Sequence, residues 1–281
     1  MSHKLVDSSS IALERKVAPQ GIERYVSTKT LRNQALVTRQ VRSTLPRATP
    51  QVLVEFRNEP VLILRENFFT EAEADHFYAL FSNEIPWTVS NIRIMGKLVA
   101  ERRESSMHST MENESYTYSG VERESQPMTS GLQELKERIE SDYGNPDMFL
   151  LNRYAPADFI CEHADDESQI DQTKPIYSFS FGQTRILVIR EKRSVFKKNS
   201  KAGMKRTWRY EVVMKHGSLI EFCPGMQSHF SHEVIKPRKT DLSQLASSHA
   251  KFSHRINVTA RFSKAAKSSR KSVPSESRKP S

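Results

Sequence analysis

At 281 residues, with 37% hydrophobic and only two cysteines, the chain can bury one sizeable core but not its whole length. Cys161 and Cys223 form no CxxC and no paired framework, which excludes a disulfide-stapled scaffold and suits a reducing compartment. No apolar run is long enough to span a bilayer and no signal-peptide stretch is seen. A soluble, intracellular, monomeric protein of nucleus or cytoplasm, without a membrane partner, is therefore expected.

The formal charge of +10 is concentrated at the ends. Residues 1–50 carry nine Lys/Arg against three Asp/Glu and residues 264–281 carry six against one, which leaves 51–263 close to neutral. Such ends are either solvated tails or a hold on a polyanion, and counterion release from phosphates makes nucleic acid the leading candidate. Residues 1–50 read as mostly disordered, with a transient helix near Leu31–Arg42, and the Lys/Arg/Ser/Pro tail from Lys264 cannot build a core. The folded domain is expected over 51–263.

Within it, Thr70 followed by Glu73 is a capping-box pattern, and Phe77, Leu80 and Phe81 share one face of the helix it opens. A second helix is predicted over Ser130–Tyr143, with Leu132, Leu135 and Ile139 on one side and Gly144 as its stop. From residue 148 the period changes to two. Strands are predicted at Met148–Tyr154, Ile176–Phe181, Arg185–Arg190, Trp208–Met214, Ser218–Cys223, Glu233–Lys236 and Arg255–Phe262. The fold class is α+β with a mainly β core: two sheets packed face to face with helices outside, a body of which the double-stranded β-helix, or jelly roll, is one form. The segment Lys192–Arg209, with eight Lys/Arg and no acid, reads as a basic hairpin loop, either merely solvated or clamping phosphates.

His163-Ala164-Asp165 follows a strand, and residues two apart in extended chain point the same way, so imidazole and carboxylate can converge on one metal. A third ligand would complete the face of an iron(II) octahedron, leaving positions open for a co-substrate and O2. The H-x-D pattern alone is weak. In the last strand, alternation puts Ile256, Val258, Ala260 and Phe262 on one face, expected to pack into a sheet interface, and Arg255, Asn257, Thr259 and Arg261 on the other. Two guanidiniums along one side are costly to bury without an anion, and arginine forks bind carboxylates bidentately.

Taken in order, Asn152-Arg153-Tyr154, His163 to Glu167, Pro175-Ile176 with Ser178 to Gly182, His216 to Leu219, and Arg255 to Arg261 resemble the core of the AlkB family. The resemblance is strong from Asn152 onward and looser before. It implies Fe(II) as cofactor, with 2-oxoglutarate and O2 as co-substrates, and iron ligands His163, Asp165 and His232, with His229 the rival for the third place. It assigns 2-oxoglutarate contacts to Asn152, Tyr154, Arg255, Asn257 and Arg261. It places a nucleotide-recognition lid at about 88–125, with Tyr118 stacking on the base and Arg103 reaching toward the substrate. Asp166 and Glu167 would stabilise a cationic methylated base, and Ile94-Met95-Gly96 sits where some relatives insert a wedge into duplex DNA.

The implied reaction is oxidative demethylation of N-alkylated bases, of the 1-methyladenine or 3-methylcytosine type, in DNA or RNA, with release of formaldehyde, succinate and CO2. The lid departs from the family pattern: Glu101-Arg102-Arg103 lacks the usual proline, and Met107-His108-Ser109 replaces an aromatic stretch. The alternatives are the same oxygenase on a protein or lipid, or an inactive nucleic-acid-binding module.

Overall fold

The computed structural model describes residues 13–17, 23–27, 36–38, 49–94, 96–111, 115–118, 121–195, 209–238 and 250–264. Three short N-terminal strands, β1 (Leu13–Val17), β2 (Glu23–Ser27) and β3 (Leu36–Thr38), come first. β3 lies where a transient helix is expected from the sequence. The stretch Leu-Val-Thr, with two β-branched residues, pairs instead with β4 (Gln51–Phe56). β4 and β5 (Glu59–Arg65) form a hairpin whose turn residues Arg57 and Asn58 both have positive φ.

Helix α1 (Glu71–Glu84) starts with both halves of the predicted capping box. Glu73 N–H donates to Thr70 Oγ1 at 3.0 Å, and Thr70 N–H donates to Glu73 Oε2 at 2.7 Å. Between the two helices lie the hairpin β6 (Asn91–Ile94) and β7 (Lys97–Ala100), then β8 (Glu104–Ser109), then the hairpin β9 (Ser115–Tyr118) and β10 (Val121–Glu124). Helix α2 (Ser130–Tyr143) occupies the predicted span and ends at Gly144, whose φ of 75° suits glycine.

The later strands are β11 (Met148–Tyr154), β12 (Ile160–His163), β13 (Ile176–Gly182), β14 (Arg185–Glu191), β15 (Tyr210–Met214) and β16 (Ser218–Phe222). A one-turn helix α3 (Met226–His229), β17 (Phe230–Val234) and β18 (Arg255–Arg261) complete the chain. β17 begins three residues before the predicted strand, so His232 lies inside it. The large sheet has the order β3-β4-β5-β16-β13-β18-β11-β8, and the small one β12-β17-β14-β15. All their pairings are antiparallel, the arrangement of a jelly roll.

Two cores follow from strand alternation. One fills the space between the sheets with Met148 and Leu150 of β11, Leu187 and Ile189 of β14, and Val212 and Met214 of β15. The other lies outside the large sheet, where Phe77 and Phe81 of α1 and Leu132, Leu135 and Ile139 of α2 cover Phe149, Leu151, Phe179 and Phe181. Ile256, Val258 and Ala260 belong to this second core, so the apolar face of β18 packs on helices and not, as expected, between sheets. The correction matters for the site. It turns Arg255, Asn257, Thr259 and Arg261 into the sandwich, where Asn152, Tyr154 and Ser178 of neighbouring strands also face.

Candidate active site

β12 and β17 are adjacent strands of the small sheet, and His163 and His232 are register partners across them. Their ring centroids lie 4.3 Å apart. Asp165 follows two residues after His163, beyond the end of the strand. Its backbone is fixed on both sides: its N–H donates to Gln227 Oε1 at 3.0 Å, and its carbonyl accepts from Gln172 Nε2 at 2.8 Å. The carboxylate thereby sits 3.9 Å from His163 Nε2 and 3.8 Å from His232 Nε2, and one ligand atom from each of the three residues falls within 4.8 Å of the others.

His163 Nδ1 is 2.9 Å from the Cys161 carbonyl, which accepts its proton and leaves Nε2 as the lone-pair nitrogen facing Asp165. The His232 ring stacks on Phe222 at 4.9 Å. His229 lies elsewhere, on α3, with Nδ1 donating to the Gly225 carbonyl and the ring against Phe56 at 3.9 Å.

Burial depresses the pKa of His163, and burial together with the neighbouring His163 pushes His232 down to about 3 against the pull of Asp165. Burial would raise Asp165, but Arg261 and the two histidines outweigh it and hold the carboxyl at about 2. At neutral pH the set is therefore two neutral imidazoles and one carboxylate, the protonation state in which all three are metal ligands. Two nitrogens and one oxygen meeting on one side fit the facial triad of a non-haem Fe(II) site. Arg261 donates to Asp165 Oδ1 at 2.8 Å, a buried contact that orients this carboxylate.

Behind the triad, a narrow cavity runs between the sheets. Asn152, Tyr154, Arg255, Asn257 and Arg261, the residues assigned to 2-oxoglutarate, all line it. Arg255 is 1% exposed, and one of its nitrogens donates to Ser180 Oγ at 3.1 Å and to Met214 Sδ at 3.2 Å. Its Nε and Nη1 are buried without a hydrogen-bond partner, and no carboxylate pairs with it among the described residues. The guanidinium stands 5.3 Å from the Tyr154 ring centroid, and burial lowers its pKa to about 10. A buried guanidinium with spare donors needs an anion, and a dicarboxylate reaching from the triad would supply one. Asn257 is committed differently: its amide donates to Ser178 Oγ at 2.8 Å and the Phe179 carbonyl at 2.9 Å, tying β18 to β13.

Arg103 is buried in the cavity wall, with Nε donating to Asn152 Oδ1 at 2.7 Å and a 2.8 Å ion pair to Glu101. It reaches the cavity, but as a fixed part of the wall. Asp166 and Glu167 do not line it. Asp166 is exposed, paired with Lys192 at 2.6 Å, on an open groove that adjoins the outer side of His163. The turn of the β6–β7 hairpin is Gly96, and β7 leaves Leu98 and Val99 exposed. The side chains of Tyr118, Ile94 and Met95, and most of the basic stretch Lys192–Arg209, lie outside the described residues.

Gln227, Ser178 and Phe222 touch the site without having been given a role there from the sequence. The serines of Ile-Tyr-Ser-Phe-Ser-Phe-Gly were a usable signal, because polar residues at alternate positions of an otherwise apolar strand mark an interior that is not purely hydrophobic.

Residues 61–261 match the family model of the 2OG-Fe(II) oxygenase superfamily. The DNA oxidative demethylase ALKBH2 of Mus musculus is 30% identical over 174 residues, which cover 59% of this chain and 70% of that protein. This chain belongs to the AlkB family of 2OG-Fe(II) oxygenases. ALKBH2 of Arabidopsis thaliana is 28% identical over 197 residues, and the human alkB homolog 3 dioxygenase is 31% identical over 124 residues. The alignments cover 64% and 43% of this chain, but only 62% and 42% of those relatives' length. As an AlkB-family chain it takes Fe(II) as metal, with 2-oxoglutarate and O2 as co-substrates. No helix among the described residues is long and apolar enough to cross a membrane.

Proposed function

We propose that this chain is a dioxygenase that demethylates N-alkylated bases of the 1-methyladenine and 3-methylcytosine type in DNA, releasing formaldehyde, succinate and CO2. The observation that carries the reading is the His163–Asp165–His232 cluster, half-buried at His163 and buried at the other two, in the wall of a cavity that also holds a guanidinium with no acid beside it among the described residues. Iron and 2-oxoglutarate, when bound, supply the oxidising chemistry.

The protein's part is placement and exclusion of water. His163 and His232 present neutral nitrogens, and Arg261 steers the Asp165 carboxylate. Arg255 and Tyr154 take the far carboxylate of the co-substrate, with Asn152 held beside them by Arg103. DNA is favoured over RNA, protein or lipid because the matching relatives from mouse and Arabidopsis are named DNA oxidative demethylases. The basic ends agree with a polyanionic partner. The groove outside His163 suits an extruded base, since the target atom is shielded inside a stacked duplex. Exposed Leu98 and Val99 on a hairpin at the lid suit contact with unstacked bases.

The test is formaldehyde release from matched single- and double-stranded DNA and RNA carrying 1-methyladenine or 3-methylcytosine. Release from DNA that depends on both Fe(II) and 2-oxoglutarate is expected. Release only from a methylated peptide or lipid overturns the substrate, and no release together with no binding of 2-oxoglutarate overturns the reaction.

A further inference from the structure

Arg185 opens β14, is 0% exposed, and is used by none of the chemistry above. Alternation along β14 turns it the same way as Leu187 and Ile189, into the space between the sheets. Its register partner on β15 is Met214, whose sulfur accepts from Arg255. Arg185 therefore enters the sandwich beside the same methionine that Arg255 touches.

Its Nη1 donates to the Pro156 carbonyl at 3.0 Å and its Nη2 to the Ala155 carbonyl, the two residues directly after Tyr154. Its Nε is buried without a hydrogen-bond partner. Asp158 is an acid whose charge acts on Arg185, and its carboxylate accepts from the Ala155 N–H at 2.8 Å. No carboxylate forms an ion pair with Arg185 among the described residues. Two guanidiniums thus share one end of a buried compartment, around one tyrosine, with neither neutralised by a salt bridge. Burying a second cation there is unfavourable unless an anion arrives to meet the pair.

We propose that Arg185 is a positioning residue of the co-substrate pocket, a second buried cation that holds the Tyr154 turn and sets Arg255 against the distal carboxylate of 2-oxoglutarate. The proposal rests on the oxygenase reading and adds a residue to it. Arg185 acts through Tyr154 and Arg255 and is not in contact with the cavity itself. The charge it adds favours a dianion over a 2-oxo acid with one carboxylate, because only the dianion places negative charge at that end.

The test compares two ligands on the full chain loaded with Mn(II): 2-oxoglutarate, and 2-oxobutanoate, which keeps the chelating end and lacks the distal carboxylate. Binding is followed by calorimetry and by ligand-induced shift of the melting temperature, both independent of turnover. Arg185→Gln is expected to weaken 2-oxoglutarate about tenfold, the order of one charge-assisted interaction. It should leave 2-oxobutanoate within about twofold, and Arg185→Lys, which keeps the charge, should recover most of the loss. At saturating 2-oxoglutarate, kcat should stay near wild type while KM for the co-substrate rises.

Equal weakening of both ligands, or no weakening of either, overturns the role. Should Arg185→Gln not fold, Arg185→Lys decides: a loss confined to 2-oxoglutarate and smaller than tenfold supports the proposal, and an equal loss on both ligands sinks it. Failure of the unmodified protein to bind 2-oxoglutarate at all would instead refute the oxygenase reading itself.

Discussion

His232 and His229 are three residues apart, and the structure separates them by secondary structure: one is in β17, the other ends α3. Replacing His232 with alanine should abolish both turnover and Mn(II) binding, since the remaining pair offers one imidazole and one carboxylate. Replacing His229 should leave turnover within roughly threefold of the unmodified protein, as expected for a side chain outside the cluster. The reverse pattern would move the ligand assignment.

A second residue-scale prediction concerns His108, which is buried with Nδ1 donating to the Pro127 carbonyl at 2.6 Å and Nε2 bonded to Ser106 Oγ at 2.9 Å. Burial lowers its pKa below the ordinary value of 6.5. The unfolded chain therefore binds the proton more readily than the folded one. Its contribution to stability is complete above about pH 6.5 and declines as pH falls toward the depressed folded value. Denaturant midpoints of the wild type and His108→Gln should converge between pH 7.5 and pH 5; a constant difference would remove His108 from the acid response.

Among elements, β13 shows how tightly the sandwich is closed at its end. Gly182 has φ of +80°, and an added Cβ would meet the His254 carbonyl and come within 2.6 Å of Tyr78 Cε2. Gly182→Ala should cost roughly 3 kcal/mol or more, combining left-handed strain with overpacking. An unchanged urea midpoint would contradict the packing described.

The helices and the strands β11, β13, β14, β16 and β18 could be read from periodicity because each has one face on a core and keeps its alternation or its cap. β12 has no bounds legible in the sequence, being four residues long after Pro156 with no alternation of its own; it enters only as the strand that His163 was expected to follow, and His163 is in fact its last residue. The β4–β5 hairpin was missed because its turn uses Arg57 and Asn58 at positive φ in place of the glycine that usually marks one. The direction of β18 was the subtler failure. Its alternation was legible, yet which face met the other sheet depended on where α1 and α2 pack, and no local pattern contains that. That His163, Asp165 and His232 meet, and that Arg255 and Arg261 line the cavity beside them, was nonetheless anticipated, because the family resemblance carries residue types in chain order without knowledge of the packing.

At the scale of the whole molecule, charge and chemistry occupy different parts of the chain. The oxygenase match ends at residue 261, while the last eighteen residues carry six Lys/Arg against one acid. Deleting 264–281 should weaken binding to unmodified DNA mainly at low salt and make the salt dependence shallower. The slope should change by about 0.9 for every phosphate that a tail cation no longer neutralises. The kcat for a short methylated oligonucleotide should stay within roughly twofold, since the described residues that line the pocket end at Arg261. An unchanged slope would leave the tail without a part in DNA binding.

Among the described residues the small sheet has β12 at its edge, with β17 as its one neighbour, and the two histidines face each other across that seam. An ion held between them would act as a rivet joining an outer ribbon to its only support. Stripping the iron with a chelator should then let the amides of 160–163 exchange with solvent well before those of β17 or β18, so that fraying at this border becomes a gauge of metal occupancy.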